Sequence, residues 1–502
     1  MNIGQRSFVD HLIEREQVRR QQYLKSREYY DGTHHTQLTD RMRQYLSVNR
    51  DMDFSVNYCP LIVNAKADRL VVTGFHTEDA SQSDLFWQWW RSNRMDKIQG
   101  IVHLAAVRDG DAFVLVEWDP VKEIPRFNFE PAFAGEGVMV YYSEEHRDEI
   151  AFASKHWIIK HGDHTGKQWR KNLYLPDRIE KYIATNHSDG TSSNWLPYVD
   201  DSTQETRPGK LGVAGVHWWT DNGTETGVPL GIPIVHFKNV DIGDSYGISR
   251  LSNIIPIQDA VNKTIIDLLA SADASGFGLL VGYGTDAWSN TKVGPGAIAA
   301  VSKSPSDAKL ERLAGDDPRG LLSVYNALVL ELARVSGTPL SYLQSSGQIA
   351  AEGTMKQQEV ALVTQIEKSQ VDFGNAWEDC MAIGRRLFNA FGHDESRLDT
   401  GIIIDTIWRS AESRNDKEMA ETLAIKVEKL GVTTEVAQVE LGYDATEIAQ
   451  MERARLRNQA LSIKQIITPV TEVPTLHPAG GENGAGLLQS EMGMNGNDAT
   501  RA

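Results

Sequence analysis

The sequence predicts an α+β fold in which a mixed body carries a helical hairpin and one very long helix, and three observations predict it. Between Asp111 and about Phe237, short β-rich segments alternate with turns. Helical patterns precede and follow this region, mixing helix and strand in one body. From Ser249 to Phe391, two helical segments flank a Gly-rich insert and lead through a small-residue loop into a single long helix.

In order, Phe8 to Tyr30 is rich in Glu, Arg and Gln, carries Val9, Leu12, Ile13 and Tyr23 at helical spacing, and ends at Asp31-Gly32. Leu61 to Leu70 reads as a second helix and Val71 to Phe75 as a strand leaving it. Ser83 to Arg94 is a third helix, whose Trp87, Trp89 and Trp90 belong to a core. Lys97 to Arg108 continues helically, and Asp109-Gly110 turns the chain into Asp111 to Trp118, the start of a long antiparallel region. Within that region Phe152 to Lys160 faces Lys167 to Leu175 across His161-Gly162-Asp163-His164.

The first segment past Ser249 places Leu251, Ile254, Ile255, Val261, Ile265, Leu268, Leu269 and Ala272 on one stripe, with Asp259, Lys263 and Asp267 as i,i+4 neighbours on another face. Pro256 is costly inside a helix, so the regular part begins near it or kinks there. The insert, Phe277 to Leu313, consists of short apolar runs broken by glycine and proline, the pattern of small strands and turns, and is too short for a full domain. The second segment opens with Asp316-Asp317-Pro318, runs through Leu321, Leu322, Tyr325, Leu328, Leu332 and Val335, and stops at Gly337 and Pro339. Leu340 to Gly353 has little to bury and no lysine or arginine, which predicts a mobile, nearly uncharged loop. Apolar residues then recur at Met355, Leu362, Ile366, Phe373, Trp377, Met381, Leu387 and Phe391, a helix longer than usual, with a bend expected near Gly374.

Gly401 to Trp408 reads as a strand returning to the body, and Asp416 to Leu430 and Thr433 to Leu461 read as a helical cap. The tail from Thr468 to Ala502, rich in Gly, Pro and Asn, is expected to be disordered.

With 502 residues, 41% of them hydrophobic, the chain can bury a substantial core and several domains are expected. A formal charge of −17 argues against a surface built to grip nucleic acid by phosphate neutralisation. Cys59 and Cys380 are too few for a disulfide framework or a cysteine zinc site and read as buried thiols. The absence of a long apolar window or an apolar N-terminal leader argues against a membrane span or signal peptide.

Positive signs of catalysis are missing. Gly162 to Lys167 imitates a phosphate loop but lacks one spacer, and Gln168 stands where Ser or Thr would hold magnesium. The pairs His34-His35 and His161/His164 lack metal-ligand spacing and read as surface histidines. Glu144-Glu145, Asp241/Asp244 and Asp316-Asp317 read as solvated loops or caps before they read as a metal site. Arg453, Arg455, Arg457 and Lys464 form one basic run, read as a solvated face. No catalytic residue, metal ligand or cofactor is assigned.

Several stretches, in order, carry a family resemblance. They are Tyr29-Tyr30-Asp31-Gly32; Asn57-Tyr58 with Ile62-Val63, Arg69-Leu70 and Gly74-Phe75; Asp109-Gly110-Asp111-Ala112-Phe113; Ile232 to Phe237; Gly247-Ile248-Ser249; Ile257 to Lys263; and Gly337-Thr338-Pro339 with the long helix. Over roughly Phe8 to Leu461 the chain resembles the portal proteins of tailed double-stranded-DNA bacteriophages, in the long-tailed, siphophage-type branch. The resemblance implies a ring, dodecameric in the virion, at one capsid vertex around a DNA channel. Such a ring would be made in the host cytoplasm.

On this chain the resemblance implies a wing over 1–248, stem helices at 249–275 and 317–335, a clip at 276–316 and a channel loop at 336–353. The long helix and a return to the wing would take 354–414, a crown 415–465, and a disordered tail 466–502. Implied partners are further copies of the chain, double-stranded DNA in transit, terminase, head-completion or adaptor proteins, scaffold and major capsid protein. Gln344, Ser345, Ser346, Gly347 and Gln348 are the expected DNA-facing residues, since they offer hydrogen bonds without ion pairs. Leu251, Ile265, Leu268, Leu328 and Leu332 are expected to pack the stem between subunits, with an intrachain hairpin as the alternative. Trp288 packs either between subunits at the clip or within its own β insert. A metal-dependent DNA-processing enzyme using acidic loops and a structural subunit of the capsid shell are the competing readings.

Overall fold

The computed structural model describes residues 19–34, 56–146, 149–159, 168–185, 195–199, 215–277, 279–283, 309–313, 319–344, 352–392, 397–412, 416–441, 443 and 447–457. Helix α1 (residues 19–31) ends as expected at Gly32, whose φ of +72° supplies the left-handed step. Helix α2 (Cys59–Ala67), led in by Pro60, runs into strand β1 (Val72–His76). Helix α3 (Ala80–Ser92) is capped by Asp79, whose carboxylate accepts the Ser81 N–H at 2.9 Å, and is followed by α4 (Met95–Asp109). Trp89 and Trp90 of α3 are fully buried, the core role their density suggests.

Strands β2 (Asp111–Asp119) and β3 (Ile124–Pro131) form a hairpin, and Asp111 to Val116 of β2 is buried without a break. A second sheet is built from β4 (Gly137–Tyr142), β5 (Ile150–Ile159), β6 (Gln168–Tyr174), β7 (Arg178–Thr185) and β8 (Leu196–Pro197), with β9 (Val216–Trp218) also on β7. β5 and β6 pair antiparallel from Ala153/Tyr174 to Ile159/Gln168, the expected hairpin; its phosphate-loop look-alike lies outside the described residues. Strand β10 (Ile234–Lys238) joins β2 to complete the order β10-β2-β3.

Helix α5 (Ile255–Phe277) begins one residue before Pro256, where a missing N–H costs nothing. Beyond it β11 (Leu279–Tyr283) pairs antiparallel with β12 (Lys309–Leu313), and α6 (Arg319–Ser336) returns alongside α5. A short helix α7 (Leu340–Leu343) occupies the start of the stretch expected to be loop. Helix α8 (Glu352–Phe391) is 40 residues long and continuous through Gly374 and Gly384. Those glycines serve close approach: a Cβ on Gly374 would lie 3.2 Å from Trp408 Nε1, and one on Gly384 3.3 Å from Pro125.

Strand β13 (Asp405–Trp408) returns to pair antiparallel with β1, as expected. Thr406 meanwhile donates to the Gly374 carbonyl at 3.2 Å. Helices α9 (Asp416–Leu430) and α10 (Thr434–Leu441) complete the first of two units, Met1–Gly442. The second unit, Tyr443–Ala502, contains a helix over 447–457 in which Arg453, Arg455 and Arg457 are exposed.

Leu362, Ile366, Phe373, Trp377, Cys380 and Met381 of α8 are all fully buried, and α8 packs on β2, β3, β10 and β13. The Trp377 indole donates to His103 Nε2 at 2.9 Å, so the His103 proton sits on Nδ1 and is given to the Leu70 carbonyl at 2.9 Å. Burial drives the His103 pKa down to about 4, keeping the ring neutral as that arrangement requires. Both cysteines are buried free thiols. Among the described residues no helix is long and apolar enough to cross a membrane.

Candidate functional site

Sequence stretches scattered over some three hundred positions meet where the α5–α6 hairpin leaves the body. The first junction joins Asp109-Gly110-Asp111 to Gly247-Ile248-Ser249. A Cβ on Gly247 would lie 2.2 Å from the Gly110 carbonyl oxygen, and one on Gly110, at φ +99°, would lie 2.8 Å from Ser249 N. Only two glycines allow these backbones to touch. Ser249 Oγ donates to the Arg108 carbonyl at 2.5 Å, and Gly247 N–H donates to Asp111 Oδ1 at 2.7 Å.

Asp111 is fully buried and also receives Arg19 (3.1 Å), Tyr23 OH (2.6 Å) and His236 Nε2 (2.8 Å). Burial alone would raise its pKa, but His236, Arg19 and Tyr23 hold it below the usual value. Burial lowers the His236 pKa, and its Nδ1 accepts from Tyr142 OH at 2.8 Å. Helix α1 is thereby fastened to β2 and β10. Arg27 adds a second tie, to Asp109, at 2.9 Å.

The second junction joins Tyr29 and Val56 to Tyr58 with the first turns of α5. Tyr29 OH donates to Asp259 Oδ1 at 2.7 Å; Gln258 accepts from Tyr58 N–H (3.0 Å) and donates to the Val56 carbonyl (2.5 Å); Asn262 accepts from Val56 N–H at 3.0 Å. Asp259, expected as an i,i+4 partner on the helix surface, thus works as a docking group. His34, expected at the surface, is 2% exposed, stacked 4.1 Å from Tyr29 and 3.3 Å from Asn262 Nδ2. Its burial follows from the docking of α1 on α5, which no local pattern announces.

The third junction is made by Arg250. Its guanidinium donates to the Ile62 carbonyl (3.0 Å), the Ser336 carbonyl (3.0 Å), Thr338 Oγ1 (3.3 Å) and Gln365 Oε1. One side chain thus binds α2, the end of α6 and α8. Gly337 takes φ +64°, a left-handed conformation that favours glycine. Beside it Lys66, 2% exposed, donates to Asn239 Oδ1 at 2.7 Å. Burial first, then the charge of Arg250, lowers the Lys66 pKa to about 7, against the opposing pull of Asp372.

Of the residues expected to pack the stem between subunits, Leu251 and Leu332 are fully buried in the chain's own core. Their burial at the hairpin root fits the alternative, packing within the chain. Ile265 and Leu328 are partly buried against that core, and Leu268 is partly exposed. Gln344 donates to Asn326 Oδ1 of α6 at 3.3 Å. Ser345, Ser346, Gly347, Gln348 and Trp288 lie outside the described residues. Sequence reasoning missed Arg250 and Lys66, whose only signal is a lone cation beside apolar helix positions.

Burial changes along the hairpin. Leu251, Ile254, Ile255, Val261 and Ile266 at the root are buried, while Leu269 further along α5 is 36% exposed. On α6, Leu322 (46%) and Val324 (49%) are exposed near its start, whereas Val329, Leu332 and Ala333 near its end are buried. Among the described side chains the hairpin is buried at its root and more exposed further out, with Val335 near the end of α6 (43%) the exception.

No group of three or more His, Cys, Asp or Glu among the described residues is placed to hold a metal ion. Asp241 instead accepts Gly243 N–H at 2.8 Å and pairs with Lys238 at 3.3 Å, a turn-stabilising role.

A family model described as phage portal protein, SPP1 Gp6-like, matches residues 9–459. The chain is 23% identical over 453 residues to the portal protein of Mycobacterium phage L5, covering 84% of this chain and 82% of the relative. To the portal protein of Mycobacterium phage D29 it is 21% identical over 445 residues, covering 84% and 83%. Among solved structures it is similar to the neck of a native gene transfer agent particle computed with C12 symmetry. That match has a TM-score of 0.40 and 10% identity, over 80% of this chain and 92% of the other. Because the family match spans nearly the whole chain, and with it every junction at the hairpin root, this chain belongs to the SPP1 Gp6-like family of phage portal proteins.

Proposed function

We propose that copies of this chain form a ring at one capsid vertex, a non-enzymatic conduit through which double-stranded DNA enters the head and later leaves toward the tail. Residues 249–275 and 317–335, which hold most of α5 and α6, are its stem, 276–316 its clip and 336–353 its channel loop. Residues 1–248 make the wing, 354–414 the long helix and its return, 415–465 the crown, and 466–502 a tail. Terminase supplies the force for packaging, head-completion or adaptor proteins dock at the clip, and scaffold and major capsid protein assemble around the ring in the host cytoplasm.

The observation that carries this reading is the burial gradient of the hairpin. A free chain exposing Leu269, Leu322 and Val324 on paired helices leaves apolar area in water, at about 25 cal/mol per Å2, and neighbouring copies in a closed ring would cover it. Subunit packing thus falls to these residues and Leu268 instead of Leu251 and Leu332. The formal charge of −17 per chain supports passage of DNA, because a negative wall repels phosphate.

Electron microscopy of the purified protein tests the ring: particles with a central hole are expected, and a homogeneous monomer across salt and concentration would overturn it. Deleting Ser345 to Gln348 should leave rings intact while impairing packaging or DNA retention. Normal packaging and retention would sink the channel-loop assignment.

A further inference from the structure

The segment between Tyr342 and Glu359 joins α7 to α8, and both of its feet are held by one side chain outside it. Arg69 stands in the turn between α2 and β1, where the Leu70 carbonyl is bonded to buried His103. Its Nη2 donates to Tyr342 OH at 2.7 Å and to Glu359 Oε1 at 3.0 Å. Nη1 donates to the Ala411 carbonyl at 3.1 Å and approaches Glu359 Oε2 at 3.5 Å. Ala411 is itself buried, just beyond the strand that pairs with β1.

We propose that Arg69 is a positioning residue, a clamp that fixes the separation of the two feet of the channel loop and refers both to the rigid body. The channel loop proposed above, 336–353, lies largely within reach of these two feet, and calling them its feet rests on that proposed function; the clamp itself does not.

Three features distinguish this contact from an ordinary surface ion pair. The Arg69 and Glu359 side chains are 18% and 12% exposed, so solvent screens them weakly. The fork of the guanidinium meets both carboxylate oxygens, which fixes orientation as well as distance. Its remaining donors reach Tyr342 and Ala411, so four elements share one planar group, which a lysine ammonium cannot imitate. Burial works against the charged form, but Glu359 and Tyr342 outweigh it and raise the Arg69 pKa. The guanidinium therefore stays charged at neutral pH.

Nitroxide labels at Ser341→Cys and Gln358→Cys, both exposed positions, read the separation directly by double electron–electron resonance. The native Cys59 and Cys380 are buried and stay unlabelled. Labelled full-length chain is diluted into unlabelled chain so that only distances within one subunit are measured. The parent is expected to give one narrow distance. Arg69→Met and Arg69→Lys should both raise the population outside that peak about tenfold, the factor that loss of a charge-assisted hydrogen bond corresponds to. Tyr342→Phe, which removes one acceptor from a half-exposed side chain, should give a smaller rise and serves if the Arg69 variants do not fold. An unchanged distribution in any folded Arg69 variant, or in Tyr342→Phe where that is the variant measured, would overturn the clamp. A shifted distribution with unaltered DNA retention in assembled particles would uphold the clamp and remove the channel-loop reading instead.

Discussion

Lys66→Met should stabilise the protein near neutral pH and abolish a specific part of its pH dependence. Lys66 is 2% exposed, and its ammonium has Asn239 Oδ1 as a neutral acceptor and the charge of Arg250 against it. Burial, the largest cause, lowers its pKa from 10.5 to about 7. In the unfolded chain Lys66 binds a proton up to pH 10.5, whereas in the folded chain it releases it above about 7. Stability is therefore fullest above pH 10.5 and falls by about 1.4 kcal/mol per unit as pH drops toward 7, on the order of 5 kcal/mol in all. Methionine fits the apolar stem of lysine and removes this cost, while leaving Asn239 Oδ1 short of a donor costs about 1–3 kcal/mol. A net gain of about 2 kcal/mol at pH 7 is expected. Urea unfolding of parent and variant at half-unit steps from pH 7 to 10 measures it. The two stabilities should converge as pH rises and then cross; a difference that stays constant over this range would refute the reasoning.

His103 acts in the same direction in a lower pH window. Its pKa falls from 6.5 to about 4, so stability is lost as pH drops through that interval, by about 3 kcal/mol, and His103→Leu should flatten this limb while orphaning the Trp377 N–H. Acid unfolding followed by tryptophan fluorescence reads both effects. Gly247→Ala places a Cβ 2.2 Å from the Gly110 carbonyl and 2.7 Å from Asn239 N, backbone atoms that cannot step aside; a loss of about 3 kcal/mol or more is expected in thermal melts. Leu322→Glu alters a side chain 46% exposed in the single chain, so its stability should change by less than about 0.5 kcal/mol while ring assembly, followed by light scattering, is lost.

What was legible in the sequence was whatever repeats along one element. The apolar period of α8 marks its buried residues from Leu362 to Leu387, and Pro256, Pro318 and Gly337 mark the ends of α5 and α6 because proline and glycine act on their own backbone. What was not legible depends on partners hundreds of residues away. Asp259 looks like half of an i,i+4 pair until Tyr29 is seen to donate to it, and His34 looks like a surface residue until α1 lies on α5. Gly374 suggests a bend, yet its missing Cβ is spent on the approach of Trp408. The same limit hid the difference between root and tip of the stem: Leu251 and Leu269 share one stripe, but only the body's position decides that the first is buried and the second half-bare.

Among the described residues no carboxylate pairs with Arg250, and its bonds show how a cation sits at such a root. Its four acceptors are neutral oxygens on three separate parts of the chain, Ile62, the Ser336–Thr338 turn and Gln365. Burial lowers its pKa to about 10, which still leaves it charged at neutral pH, so it is held by directed hydrogen bonds and not by a compensating charge. A Coulomb pair would act over a distance, whereas hydrogen bonds fail within a fraction of an ångström, so this joint sets the register of stem against long helix sharply. A double-mutant cycle isolates that role. Arg250→Lys should cost about 2–4 kcal/mol, since one ammonium cannot reach all four oxygens, and Gln365→Leu about 1–2 kcal/mol. If the contact is a true joint, the double variant should lose at least about 1 kcal/mol less than the two losses combined, because the second change has no bond left to break. Strict additivity in denaturant unfolding would mean that Arg250 stabilises α2 and α6 separately, and that the stem is coupled to α8 by apolar packing alone.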